Sequence, residues 1–122
     1  MKIRSLLLFI LALTPLTGNT AELWRLGATD RNWNDFAIAG DHQAFMRHFA
    51  AGVSLTVNQD NPAEAWPYIH PGPEDAWAGG RPQVFKINFS LEAIPESACR
   101  FTLALAATHP QSPPRIMISV NG

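Results

Sequence analysis

Between Trp66 and Pro82 the chain reads Trp66-Pro67-Tyr68-Ile69-His70-Pro71-Gly72-Pro73-Glu74-Asp75-Ala76-Trp77-Ala78-Gly79-Gly80-Arg81-Pro82. Three large aromatics, four prolines and three glycines share that stretch. Proline removes a backbone donor and fixes φ, and glycine weakens regular structure, so no helix or central strand is expected through it. The segment is expected to be extended or turning, stiffened by its own prolines. A stiff aromatic loop on a scaffold of strands suits a ligand site. It equally suits a plug over one end of a β-sandwich core.

The flanking chain reads mainly as strands. Trp24 and Leu26 alternate with Leu23 and Arg25, and Gly27 ends that run. Asp41 is placed to cap a short helical turn through Phe49, with Phe45 and Phe49 on one face and His42, Arg47 and His48 on the polar side. Val53, Leu55 and Val57 alternate with Ser54, Thr56 and Asn58, and the loop from Gln59 to Arg81 follows. The cleanest strand runs from Pro82 to Leu91, with Phe85, Ile87, Phe89 and Leu91 on one face. Cys99, Phe101, Leu103 and Leu105 mark a fourth strand, and Ile116, Ile118 and Val120 a fifth. The fold class expected is all-β, an antiparallel β-sandwich, with the last three strands spaced for antiparallel neighbours. The sequence closes on Asn121-Gly122, a common hairpin pair. Five strands are few beside the roughly eight of a jelly roll. A sandwich incomplete at its C-terminal end is therefore expected.

Residues 1–21 read as a secretory signal peptide: Lys2 and Arg4, then the apolar run Leu6 to Leu13, a break at Thr14-Pro15, and small residues to Ala21. The apolar run is about half the roughly 20 residues of a membrane span. The expected location is secreted or periplasmic, with one domain over residues 22–122. Without Lys2 and Arg4, nine basic residues become seven against ten acidic, a net charge of −3. That balance argues against a nucleic-acid surface, since no basic patch remains to neutralise phosphates, and no nucleic-acid partner is expected. Cys99 has no second cysteine to pair with and reads as a small buried hydrophobe.

A wider set of residues becomes recognisable around the central loop. Trp24-Arg25-Leu26-Gly27 with Asp30-Arg31, the Trp66–Gly72 run, Asp75-Ala76-Trp77, Gly79-Gly80-Arg81-Pro82, Thr108-His109-Pro110 and Val120-Asn121-Gly122 belong to it. Together they resemble the C-terminal domain of rhamnogalacturonan lyases of polysaccharide lyase family 4. The resemblance implies a galactose-binding-like jelly roll with the look of a carbohydrate-binding module, covering 22–122. In that family the module follows a catalytic β-sandwich and a fibronectin-type domain, and more strands follow the Val-Asn-Gly position. Here the signal peptide precedes it directly. The catalytic residues of such lyases lie in another domain, so none carries over. The resemblance implies a pectic rhamnogalacturonan or similar plant polysaccharide as ligand, and a catalytic lyase domain as a possible partner.

Sugars offer apolar C–H faces to aromatics and hydroxyls to carboxylate, amide, Arg and His groups. Trp66, Tyr68, His70, Glu74, Asp75, Trp77 and Arg81 supply that set, with Trp33 in the polar Arg31–Asn34 turn as a further exposed aromatic. Against this stands a core-capping role for Trp66, Trp77 and Tyr68, a structural role for His70, and an Arg81–Asp75 pair that merely fixes the loop. Asp30 and Asp35 are candidates for a structural Ca²⁺. No other cofactor is implied. His42 and His48 lack helical ligand spacing, and adjacent Glu74 and Asp75 would diverge, a poor acid/base pair. A lyase would need a cationic base, and Lys86 alone among lysines of the mature chain is available. The chain is therefore expected to be non-catalytic: a binding module, or alternatively a module that packs on a lyase domain.

Overall fold

A computed structural model of the chain describes residues 21–113 and 115–121. The signal peptide expected over 1–21 lies outside them, but for Ala21. In order come a 3-10 turn at His42–Ala44, α1 at Phe45–Phe49, β1 at Val53–Thr56, α2 at Pro62–Ala65, a second 3-10 turn at Ala76–Ala78, and β2 at Phe85–Asn88.

The expected helical turn forms where Phe45 and Phe49 fall four apart. Both are buried, with ring centroids 5.6 Å apart. Asp41 does not cap it by side chain; its carbonyl accepts the Ala44 N–H at 3.1 Å, and its carboxylate takes Arg47 at 3.4 Å. Arg47 and His48 are exposed as the pattern requires. His42 is not: its ring turns edge-on to Trp77 at 5.1 Å and is half-buried.

β1 and β2 form where alternation predicts strands, and they pair in parallel with Val53 opposite Phe85 and Thr56 opposite Asn88. Parallel neighbours need a long crossover, which the loop and α2 supply. The Asn88 amide donates to the Ser54 hydroxyl at 3.1 Å and Val57 N–H to the Asn88 carbonyl at 2.9 Å. This two-stranded sheet is the one sheet among the described residues. The expected antiparallel sandwich is not seen in them. No strand is assigned at 22–26, 99–105 or 116–120. Alternation tells which side chains share a face, but a strand exists only where a neighbour takes its N–H and C=O groups.

The core gathers Phe45, Phe49, Val53, Leu55, Trp66, Ala37 and Ala78. Phe85, Ile87 and Leu26 pack on it partly buried. The apolar rows Phe101, Leu103, Leu105 and Ile116, Ile118, Val120 are exposed. Cys99 is exposed with them, contrary to the buried position expected, because the segment carrying it lies over no core.

Candidate functional site

The central loop holds more regular structure than its composition suggests. Asn61 caps α2, its side chain accepting the Ala63 N–H at 3.1 Å, with Pro62 at the first turn. Glu64 answers from three residues on, 3.4 Å from the Asn61 amide. Further along, the 3-10 turn at Ala76–Ala78 ends on Gly79 in the left-handed conformation, φ 90°. Glycine adopts it without the strain of a Cβ.

Asp75 organises the far half of the loop. Its carboxylate accepts the Gly72 N–H at 2.7 Å and the Trp77 indole N–H at 3.2 Å. Its carbonyl accepts Ala78 N–H at 2.9 Å and Gly80 N–H at 3.0 Å. The expected Arg81–Asp75 pair does not form. The Arg81 guanidinium instead donates to the Ala50 carbonyl at 3.0 Å, tying the loop's end to the end of α1. Asp75 already has two neutral donors at closer sequence range.

The loop's aromatics divide. Trp66 is 8 % exposed and meets Phe85 edge-on at 5.3 Å. Trp77 is half-buried, edge-on to Phe45 at 5.9 Å. Both close the core. His70 is half-buried between Trp66 and Phe85, and burial lowers its pKa below the ordinary 6.5 by disfavouring the charged ring. Glu74 and Arg81 are exposed.

Tyr68, half-buried and outside the core cluster, meets Trp33, with centroids 6.0 Å apart and planes inclined 43°. Two short backbone bonds bring them together. Ala37 N–H donates to the Trp66 carbonyl at 2.8 Å, and Tyr68 N–H to the Ala37 carbonyl at 3.1 Å. The turn bearing Trp33 is braced by its own side chains. Asp30 accepts the Asn32 N–H at 3.0 Å and also takes the Asn32 amide, Asn32 accepts the Asn34 N–H at 3.0 Å, and Asp35 accepts the Ala28 N–H at 2.8 Å. Asp30 and Asp35, the candidate Ca²⁺ ligands, thus spend oxygens on backbone donors. Among the described residues no three His, Cys, Asp or Glu side chains gather as a metal site. Trp33 stays 42 % exposed.

This arrangement offers an exposed indole beside a half-buried phenol, with the exposed Asp30, Asn32 and Asn34 in the same turn as Trp33. It can stack on a sugar face and bond hydroxyls. It holds no paired acid and base. The Trp33–Tyr68 pairing was beyond the sequence, since it depends on the Ala37–Pro67 bridge. The sequence pattern at Trp24 and after β1 signals strand and loop and nothing more, yet these residues line a hollow of about 290 Å³ that includes neither Trp33 nor Tyr68. No helix among the described residues is long and apolar enough to cross a membrane.

Residues 22–122 match the family model described as CBM-like, polysaccharide lyase family 4, domain III. No curated protein and no solved structure matches the chain.

Proposed function

The chain belongs to the CBM-like family, polysaccharide lyase family 4, domain III, and on that premise we propose that it is an exported module that binds pectic polysaccharide through Trp33 and Tyr68. The family describes an accessory domain of carbohydrate-binding type rather than a catalytic one. The observation that carries the ligand surface is the Trp33–Tyr68 pair, an exposed indole against a half-buried phenol, with the turn that bears Trp33 braced by its own side chains. Trp66, His70 and Trp77 then act from within, fixing the loop that presents Tyr68. Glu74 and Arg81 stand exposed at its far end, where they can extend the contact with a longer chain. The apolar leader 1–21 carries the chain out of the cytoplasm.

Isothermal titration with rhamnogalacturonan oligosaccharides tests this. Stacking contributes ~0.5 to 1.5 kcal/mol beyond burial for an aromatic pair, so Trp33→Ala should weaken binding by about two- to twelvefold. A Trp33→Ala protein that binds as tightly as the parent overturns the platform.

A second reading has its own observation. Phe101, Leu103 and Leu105 form one exposed apolar row and Ile116, Ile118 and Val120 another, side chains that would suit an interaction surface. On this reading the module packs on a lyase catalytic domain and binds no sugar. Co-sedimentation with a family 4 catalytic domain, together with silence in the sugar titration, would select it.

A further inference from the structure

Because β1 and β2 run in parallel, the chain leaves both strands at the same end of the sheet. There the residues after Thr56 and after Asn88 enclose the hollow of about 290 Å³, with Leu23 and Trp24 as its remaining wall. We infer that this hollow is a second binding site, separate from Trp33 and Tyr68, which takes a single neutral pyranose ring. The inference rests on the carbohydrate-binding reading above but uses none of its residues.

Each wall is held in place. Trp24 packs on Phe89, which also lines the hollow, at 5.5 Å and on Phe101 at 6.2 Å, so its ring is held by two neighbours and half-buried. The opposite wall is the turn from Thr56 to Asp60. The Asp60 carboxylate accepts the Thr56 N–H at 2.6 Å, and the Thr56 carbonyl accepts the N–H groups of Gln59 at 3.1 Å and Asp60 at 2.9 Å. Asn58 takes the left-handed conformation, φ 64°, at the tip. Asparagine tolerates that conformation better than most residues. The Val57–Asn88 backbone bond at 2.9 Å joins the turn to the end of β2.

The lining selects the ligand class. An indole face suits the C–H face of a sugar ring. The side chains of Asn58, Gln59 and Ser90 are exposed around it and, with Thr56, offer amide and hydroxyl groups to the ring hydroxyls. No charged side chain lines the hollow, so nothing there compensates a uronic carboxylate. Ligand pockets run from ~300 to 1,000 Å³, which places this one at the size of one ring rather than a chain.

The test is a ¹H–¹⁵N NMR titration of the protein with the methyl glycosides of galactose, rhamnose and glucose, and with sodium galacturonate. At least one neutral glycoside should move the Asn58, Gln59 and Ser90 amides and the Trp24 indole signal, and galacturonate should not. Gln59→Ala should bind that glycoside about fivefold more weakly, the loss of one hydrogen bond, with an unchanged melting curve. The inference is overturned if the neutral glycosides leave those signals in place, if galacturonate binds there as well as they do, or if Gln59→Ala and Thr56→Val both bind like the parent. Movement confined to Trp33 and Tyr68 removes this site and leaves the platform standing. Movement confined to the Trp24 hollow does the reverse.

Discussion

The imidazole of His70 lies against the ring of Phe85, 4.2 Å between centroids and tilted by 37°. Trp66 closes a further side edge-on at 5.7 Å. A proton on His70 must therefore be carried with little water around it, and burial lowers its pKa below 6.5.

The pH dependence of stability follows from that shift. Between the lowered folded value and 6.5 the unfolded chain binds a proton that the folded chain refuses. The contribution of His70 is thus fully present above pH 6.5 and is lost progressively on acidification below it. It levels off once pH falls under the folded value. Urea unfolding across this interval should show stability falling with pH, and His70→Phe should flatten part of that slope. Equal slopes for both proteins would mean that the ring is hydrated in solution.

Asp75 holds the loop closed by accepting from Gly72 and from the Trp77 indole, both partly buried. Asp75→Ala leaves two such donors without a partner, at ~1 to 3 kcal/mol for the most buried case. Asp75→Asn keeps one acceptor oxygen and should cost less. The denaturation midpoint orders the three proteins. Trp77 fluorescence should shift to the red in the alanine variant as its indole gains water.

How far the sequence could be read depended on the range of the interaction. Local signals were legible. Phe45 and Phe49 at helical spacing are buried, and the alternation of Val53, Leu55, Phe85 and Ile87 marks the two strands that form. Asn61-Pro62-Ala63-Glu64 carries a cap, an N-terminal proline and a partner acid, so α2 was within reach despite the proline-rich surroundings. Pairing was not legible. That β1 and β2 run parallel depends on the crossover between them, and alternation is blind to direction. The same holds for the site. Composition singles out Trp66, Tyr68 and Trp77 together as sugar-stacking or core-capping, yet which of them packs on the core and which meets Trp33 depends on the distant Ala37–Pro67 bridge and on Phe45. Alternation at Phe101 or Ile118 likewise names a face without naming what lies against it.

Gly27 is a position where glycine is required twice over. Its φ is +70°, and a Cβ there would run into the ring of Phe36. Gly40, at φ +78°, has open space where its Cβ would stand, with nothing within 4 Å. Gly40→Ala should therefore cost only the ~1 to 2 kcal/mol of left-handed strain, whereas Gly27→Ala should cost that and the clash as well. The difference between their unfolding free energies reads the packing of Phe36 directly. Equal losses would place Phe36 away from Gly27.

Stability should reside in the chain up to β2, because the buried cluster is drawn wholly from residues 37–78 with Phe85 and Ile87 against it. Leu55 is fully buried, so Leu55→Ala removes core contacts and leaves a cavity, at ~2 to 5 kcal/mol. Ile118 is 56 % exposed, and truncating it should stay within ~0.5 kcal/mol. Paired urea titrations of the two variants check the contrast. A loss at Ile118 as large as that at Leu55 would mean that the apolar row of Ile116, Ile118 and Val120 is covered in solution, and the packing partner of the second reading would then be the first thing to seek.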